Sequence, residues 1–538
     1  MEEAEKHMKS FNITAVCIPS ENYMVDLSGR VEQIRKMIDE KKYFCINRGR
    51  QYGKTTTIAA LEVALADEYD VISLDFQDIT DAVLKDEDRF SKEFAQLLCD
   101  IHDTLGAPIG NTYYDMLLSM AQSEKTVTLN DLFRIFDRWC KESTRPLILI
   151  IDEVDSATNN QVFLDFLGKL RSCYIKRQKN PSYRTFQSVI LVGITDVRHL
   201  KLKNRPEDEH KENSPWNVAA VFDIDMSLSS EGIQGMLDEY EADHYTGMNT
   251  ADIARLIRDY TNGYPVLVSR ICQIIDQELV PKSFTTLTDA WTAYGVDEAV
   301  KLLLQEKNML FDSIMGKLVN YPALKGNLRS ILMRGETLPW LPYDTEQQQL
   351  AMYGFIRNNH NTVAIANRIF EMLLYVHFVG ESEKNEDLKQ LSAASKSIFV
   401  TDDGWLDVRK IMEHFIVEHN HIHGDDSEKF LEAEGWERFL TYLAPIINGT
   451  GTYSIEEQTR THRRMDVVIH YLGKRYVIEL KIWHGERYNA EGEKQISDYM
   501  DYFHLNTGYM LSFNFNQKKE TGVKRIQIGD KVLFEGTV

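Results

Sequence analysis

The chain has 538 residues, 43% of them hydrophobic and 27% charged, which is length for three or four domains at roughly 150 residues each and too apolar for disorder across the whole chain. No apolar run nears the ~18 residues of a membrane helix, and the acidic start Met-Glu-Glu-Ala-Glu-Lys lacks the features of a signal peptide; a cytosolic protein with no membrane partner is expected. The net charge of −21 argues against a polyanion-binding surface spread over the molecule, but its distribution is uneven.

From Leu431 to Val538 there are 14 Lys and Arg against 15 Asp and Glu, a net of −1, so residues 1–430 carry −20. Basic clusters at Arg460/Arg463/Arg464, Lys474/Arg475, Lys518/Lys519 and Lys524/Arg525 make this C-terminal quarter the part expected to meet nucleic acid. Six cysteines at 17, 45, 99, 140, 173 and 272 include no CxxC pair, as expected of reduced, buried thiols rather than a disulfide framework or zinc site.

In chain order, Tyr43–Ile46, Val71–Phe76, Leu147–Ile151 and Val189–Ile194 read as buried strands, with amphipathic helices such as Thr56–Ala66 and Leu129–Cys140 between them. Apolar strands alternating with helices predict a parallel α/β sheet. Val221–Met226 reads as its last strand, before a helix cap at Ser229-Ser230-Glu231. Residues 229–305 read as helical, broken at Asn262-Gly263-Tyr264-Pro265. Residues 306–380 read as helices plus a hairpin (Met352–Ile356 and Thr362–Ala366), a winged-helix-like module that the acidic charge suits for packing between domains. A polar linker over 381–398 leads to residues 399–538: helices to about 447, then strand, strand, helix and strand.

Arg48-Gly49-Arg50-Gln51-Tyr52-Gly53-Lys54-Thr55 follows a strand and opens a helix. Glycine lets backbone N–H groups curl around phosphates at a helix N-terminus, lysine reaches the outer phosphates, and threonine ligates magnesium. Gly49, Gln51, Tyr52, Gly53, Lys54, Thr55 and Thr56 are therefore candidate ATP-binding residues. Arg48 departs from the strict GxxxxGK[ST] pattern, where the first glycine would stand. About 95 residues on, an apolar strand ends in Asp152-Glu153; Asp152 suits indirect magnesium coordination beside Thr55, and Glu153 suits orientation of the attacking water. Thr195, at the tip of a further strand, suits either a γ-phosphate contact or a helix cap.

These motifs, with Tyr23-Met24-Val25-Asp26 and the Gly263-Tyr264-Pro265 turn, make residues 20–275 resemble AAA-like ATPases of the STAND and archaeal-ATPase type. The resemblance implies a P-loop NTPase core over 1–228, a helical lid over 229–305, a winged helix after it, and ATP with Mg2+ as ligands. It also makes Arg270 a candidate phosphate sensor, although an arginine on a helix surface is the simpler reading.

Farther on, Met465-Asp466-Val467-Val468-Ile469 and Tyr476-Val477-Ile478-Glu479-Leu480-Lys481 read as hairpin arms turning at Leu472-Gly473-Lys474. Glu479 and Lys481, two apart on a strand, share a face, and a hairpin brings Asp466 near both. Two carboxylates and a lysine suit magnesium-assisted phosphodiester hydrolysis, with Asp466 and Glu479 as metal ligands, and charges inside an apolar run are more typical of a site than of a surface. The arrangement resembles the PD-(D/E)XK nucleases. That resemblance adds Gln495 and Tyr499 as a QxxxY motif, and Glu437 (or Glu434) as an upstream acidic residue. Met465 stands where the literal motif has proline. His484 is a further candidate for the cleft, while His419–His423 reads as a polar loop.

Two function classes follow. One is an ATP-controlled, magnesium-dependent nuclease that cuts DNA, with RNA as the second choice of substrate, in a form compatible with a homo-oligomer. The other is a regulatory ATPase or DNA-binding protein whose C-terminal domain only binds.

Overall fold

Four of the apolar runs form β1 (Phe44–Asn47), β2 (Asp70–Asp75), β3 (Leu147–Asp152) and β4 (Ser188–Gly193) in a computed structural model of the chain, all parallel in the order β1-β4-β3-β2. The structure describes every residue except 1–7, 159, 195–215, 335–337, 383–398, 402, 424–431, 448–450, 458–464, 473, 483–492, 494–495, 498–499, 501–504 and 515–518. The expected linker therefore lies almost wholly outside the described residues. Two compact units divide the chain: residues 1–228 with 352–354, and residues 229–351 with 355–538.

In the first unit, α1 (Ser28–Asp39), α2 (Lys54–Leu65), α3 (Glu87–Leu105), α4 (Leu129–Glu142) and α5 (Gln161–Lys179) cover both faces of the sheet. Successive strand residues point to opposite sides. Leu149, Ile151 and Leu191 pack with Phe94, Phe136 and Phe166 on one side, and Ile148, Ile150 and Ile190 with Ile34, Ile58 and Leu61 on the other. Burial on both faces is why these strands read as continuous apolar runs.

Val221–Met226 does not form the expected fifth strand. The one bridge lies just before it, Phe44 to Ala220, with the Ala220 N–H donating to Tyr43 O at 2.7 Å. Beyond that point its carbonyls are taken by arginine side chains. Arg48 Nη2 donates to Ile224 O at 2.9 Å and Arg30 Nη2 to Met226 O at 2.9 Å.

In the second unit, α6 (Ser230–His244), α7 (Thr250–Thr261), α8 (Pro265–Gln277) and α9 (Ala293–Gln305) come first. Asn262 (φ 48°) and Gly263 (φ 70°) make the break, and Pro265 opens α8, where its missing N–H costs nothing. α10 (Met309–Asn320), α11 (Pro322–Arg334), a helix over Thr345–Met352, and the hairpin of β5 (Ile356–Asn359) and β6 (Thr362–Ile365) follow. The hairpin's first arm starts later than expected, because the helix runs on to Met352 and Gly354 (φ 82°) then turns the chain.

After α12 (Arg368–Ser382), α13 (Val408–His423) and α14 (Glu432–Ile447) comes a six-stranded sheet, not the three strands expected. It consists of β7 (Gly451–Glu457), β8 (Met465–Tyr471), β9 (Lys474–Ile482), β10 (Thr507–Phe513), β11 (Gly522–Ile528) and β12 (Lys531–Thr537), in the order β11-β12-β10-β9-β8-β7. β7, β8 and β9 form an antiparallel meander, β10 runs parallel to β9, and β12 parallel to β10. His419–His423 is the end of helix α13, not a loop. Burial of Met412, Phe415 and Ile416 carries one helical face on to His419, whose ring lies 5.8 Å from Phe513.

Candidate functional site

At the end of β1 the chain turns through Gln51 (φ 54°) and Gly53 (φ 72°) into α2, the left-handed conformations that aim successive N–H groups into one concavity. Lys54, 7% exposed, donates through Nζ to Arg48 O at 3.1 Å and Gly49 O at 3.0 Å. Burial lowers its pKa, against the opposing charges of Glu153, Asp152 and Asp155. Thr55 Oγ1 donates to Asp152 Oδ2 at 3.3 Å, so a hydroxyl and a carboxylate from separate motifs meet. Asp152 is itself pushed up by burial. Gln51 Oε1 is buried without a hydrogen-bond partner among the described residues. This donor set fits a nucleotide with magnesium: an ammonium resting on weak carbonyl partners, a hydroxyl–carboxylate pair, and an orphaned amide oxygen. Tyr52 packs beside Arg30 and Arg48. The Thr56 hydroxyl, by contrast, faces the Cys17 N–H at 3.3 Å.

Glu153 sits at φ 53°, a conformation that a β-carbon disfavours and that surrounding structure must impose. Burial pushes its carboxyl up, Lys54 opposes, and Asp152 and Asp155 add to the rise. Asp155 was not singled out from the sequence. Its Oδ2 accepts from the Ile194 N–H at 2.7 Å, tying the acidic loop to the end of β4; the signal was a third carboxylate two residues past Glu153. Thr195 lies outside the described residues. Arg270 is committed elsewhere, its guanidinium bonded to Glu278 and Glu306.

On the C-terminal sheet, Asp466 pairs directly with Glu479 across β8 and β9, and directly opposed residues belong to one face. Glu479 and Lys481 are both 0% exposed. β10 pairs Met510 with Glu479 and Ser512 with Lys481, and β12 pairs Glu535 with Met510. Buried Ser512 and Glu535 thus occupy the same sheet face, and sequence reasoning missed both. Glu493, on the helical segment before β10, is raised by burial and by Glu535, with Lys481 opposing, so it too faces this cluster. Ile496 and Met500 of that segment pack on Val468, Val477, Met510 and Leu533 of the face. Glu437 lies on α14, while Gln495, Tyr499 and His484 lie outside the described residues. Among the described residues no group of three or more His, Cys, Asp or Glu is gathered for a metal, although magnesium is often held by only one or two carboxylates.

All six cysteines are free thiols, five of them buried, and among the described residues no helix is long and apolar enough to cross a membrane. No curated protein matches the chain. Among solved structures, a Walker-type ATPase of Pyrococcus abyssi is similar, with 13% identity and a TM-score of 0.44 over 68% of this chain and 99% of that one. The ORC2 protein of Aeropyrum pernix is similar at 12% identity and a TM-score of 0.37, over 68% and 97%. The RuvB Holliday junction branch migration motor of Thermotoga maritima gives 10% and 0.31, over 63% and 92%. The AAA-like domain family matches residues 18–375, two thirds of the length, and with the phosphate loop, the Thr55–Asp152 pair and the parallel sheet in place, the chain belongs to that family.

Proposed function

We propose that the chain binds and hydrolyses ATP and that its nucleotide state controls a magnesium-dependent nuclease in residues 399–538, acting on DNA in the cytosol. In this reading residues 1–228 are the ATPase core, 229–305 its lid and 306–380 a winged helix. At the ATP site, Lys54 would exchange the Arg48 and Gly49 carbonyls for the outer phosphates, and Thr55 and Asp152 would hold magnesium. Glu153, held in its left-handed conformation beside Asp152, orients the attacking water. Magnesium, when bound, draws charge from the transferring phosphoryl group.

The observation that carries the nuclease reading is the register of β8 on β9, with Asp466 opposite Glu479 and Lys481 two residues on. The element order supports it, since the hairpin arms are followed by a helical segment and a further strand, as the resemblance to the PD-(D/E)XK nucleases implies. Asp466 and Glu479 would hold magnesium, whose chemistry is to polarise the phosphodiester and acidify a water. Lys481 would position the attacking water or offset developing negative charge. The full burial of Glu479 and Lys481 favours a second reading, in which this face is a closed core and the domain only binds. Incubating the full chain with plasmid, linear and single-stranded DNA, with and without magnesium and ATP, separates the two: magnesium-dependent cleavage supports the nuclease, and intact substrate under every condition supports the binding module.

A further inference from the structure

Position 48, where the strict phosphate-loop pattern carries glycine, holds an arginine whose backbone N–H, carbonyl and two terminal guanidinium nitrogens are all engaged. Its N–H donates to Gly193 O at 3.2 Å, on the end of β4. Its carbonyl accepts from Lys54 Nζ at 3.1 Å. Nη1 donates to Asn47 O at 2.9 Å, Nη2 donates to Ile224 O at 2.9 Å, and the guanidinium lies 5.4 Å from the centre of the Phe222 ring. Arg30 repeats the grip two residues along. Its Nη2 donates to Met226 O at 2.9 Å and Ser227 O at 3.2 Å, and its Nη1 to Thr57 Oγ1 at 3.3 Å. Thr57 in turn donates to Gly53 O at 2.8 Å, inside the phosphate loop. Burial pulls both guanidinium pKa values down, while Tyr52 and Asp225 oppose the shift.

We propose that Arg48, with Arg30 as its second anchor, is a positioning residue that ties the phosphate loop to residues 222–227, so that nucleotide bound at Lys54 is felt in that segment. Three facts combine. The ammonium that must meet the phosphates rests, in this structure, on the carbonyl of Arg48 itself. Drawing Lys54 away frees that carbonyl and lets the 48–49 peptide turn. The same residue's side chain holds a carbonyl of a segment that has no sheet ladder of its own beyond Ala220, so the segment follows the loop. A glycine at 48 could cradle phosphate equally well but would leave the Ile224 carbonyl without its guanidinium partner. The planar fork also matters: two N–H groups on one rigid plane reach the Asn47 and Ile224 carbonyls together, which a lysine cannot do. The inference rests on the ATP-site reading and is independent of the nuclease.

Hydrogen exchange of the full chain, with and without magnesium and a non-hydrolysable ATP analogue, tests it. Nucleotide affinity and thermal unfolding are measured alongside. The parent should bind the analogue and change the exchange of residues 222–227 by about tenfold, an opening difference well within reach of the method. Arg48→Gly, which restores the strict loop pattern, should keep nucleotide binding within about tenfold yet exchange fast over 222–227 in both states. Arg48→Lys should leave that segment only partly protected. Arg30→Met, which leaves the phosphate loop unaltered, should loosen residues 226–227 even if Arg48→Gly does not fold. An unchanged response of 222–227 in Arg48→Gly or Arg30→Met would overturn the proposal, as would a parent that binds nucleotide without any response there. Folded Arg48→Gly that no longer binds would make Arg48 a ligand residue and also overturn it. A parent that binds no nucleotide would instead sink the ATP-site reading, and this inference with it.

Discussion

Lys54 is buried among carboxylates and loop carbonyls rather than in the apolar core, and in the proposed function its positive charge meets the phosphates. Lys54→Ala should therefore abolish nucleotide binding with the unfolding midpoint nearly unchanged; calorimetry showing parental affinity would remove the lysine from the site. Glu153→Gln should behave differently. It keeps the side chain's size but cannot accept from water as a carboxylate does, so binding should persist while hydrolysis slows by about 10²-fold, and unchanged turnover would move that role to another group. At this scale the sequence was informative where chemistry is local: Lys54 and Thr55 follow their loop, and Asp152 and Glu153 end their strand. It was silent where side chains meet across long separations. Arg48 reaches Ile224 and Arg30 reaches Met226, and Ser512 and Glu535 join the Lys481 face only through the register of β10 and β12; no spacing rule encodes either.

Elements depend on a few such contacts. Gly295, in the first turn of α9, leaves no room for a β-carbon, which would lie 1.7 Å from Ala290 O. Gly295→Ala should thus cost about 3 kcal/mol or more, read as a large drop in the unfolding midpoint of the second unit; a drop below about 1 kcal/mol would mean the 290–295 turn relaxes freely. Strand β8 is joined to the helices by a buried polar group. His470 Nδ1 lies 3.7 Å from Asp297 Oδ2 of α9, Tyr260 of α7 donates to Asp297 Oδ1 at 2.8 Å, and Arg368 Nη2 lies 3.3 Å from His470 Nε2. Burial lowers the His470 pKa, with Asp297 opposing and the charges of Arg368 and Arg475 adding to the fall. Burial raises Asp297, but His470, Tyr260 and Arg475 outweigh it and hold the carboxyl below its ordinary value. In both cases the unfolded chain binds protons more readily, so stability falls with pH: below about 6.5 through the histidine, then again below about 4 through the aspartate, each by at most about 1.4 kcal/mol per pH unit. Unfolding midpoints between pH 7.5 and 5.5 should therefore fall less steeply in His470→Gln than in the parent; equal slopes would show that this histidine is already as basic as a free one.

The same competition explains the misread elements. Val221–Met226 has a strand's composition, yet its carbonyls go to arginines distant in sequence. His419–His423 has a loop's composition, yet the apolar face behind it continues as helix. By contrast, the central parallel sheet was legible from its apolar runs, because burial on both faces leaves no other pattern.

For the whole molecule, the proposed function puts nucleotide in residues 1–228 and phosphodiester cleavage on the sheet of β7 to β12. Substitutions should then separate cleanly. Glu479→Ala and Lys481→Ala should cut cleavage by about 10²-fold or more and leave ATP turnover within a few-fold, while Lys54→Ala should change cleavage without altering the Asp466–Glu479 pair. Because a ligand shifts an equilibrium only by its different affinity for two states, ATP should alter the cutting rate in the parent and not in Lys54→Ala. The most direct measurement is cleavage of a closed-circular plasmid by the parent and these three variants, with and without magnesium and with and without ATP. The account predicts magnesium-dependent cutting that responds to ATP in the parent, is lost in Glu479→Ala and Lys481→Ala, and is deaf to ATP in Lys54→Ala. Intact plasmid with the parent under every condition, or parental cutting by Glu479→Ala and Lys481→Ala, would contradict it.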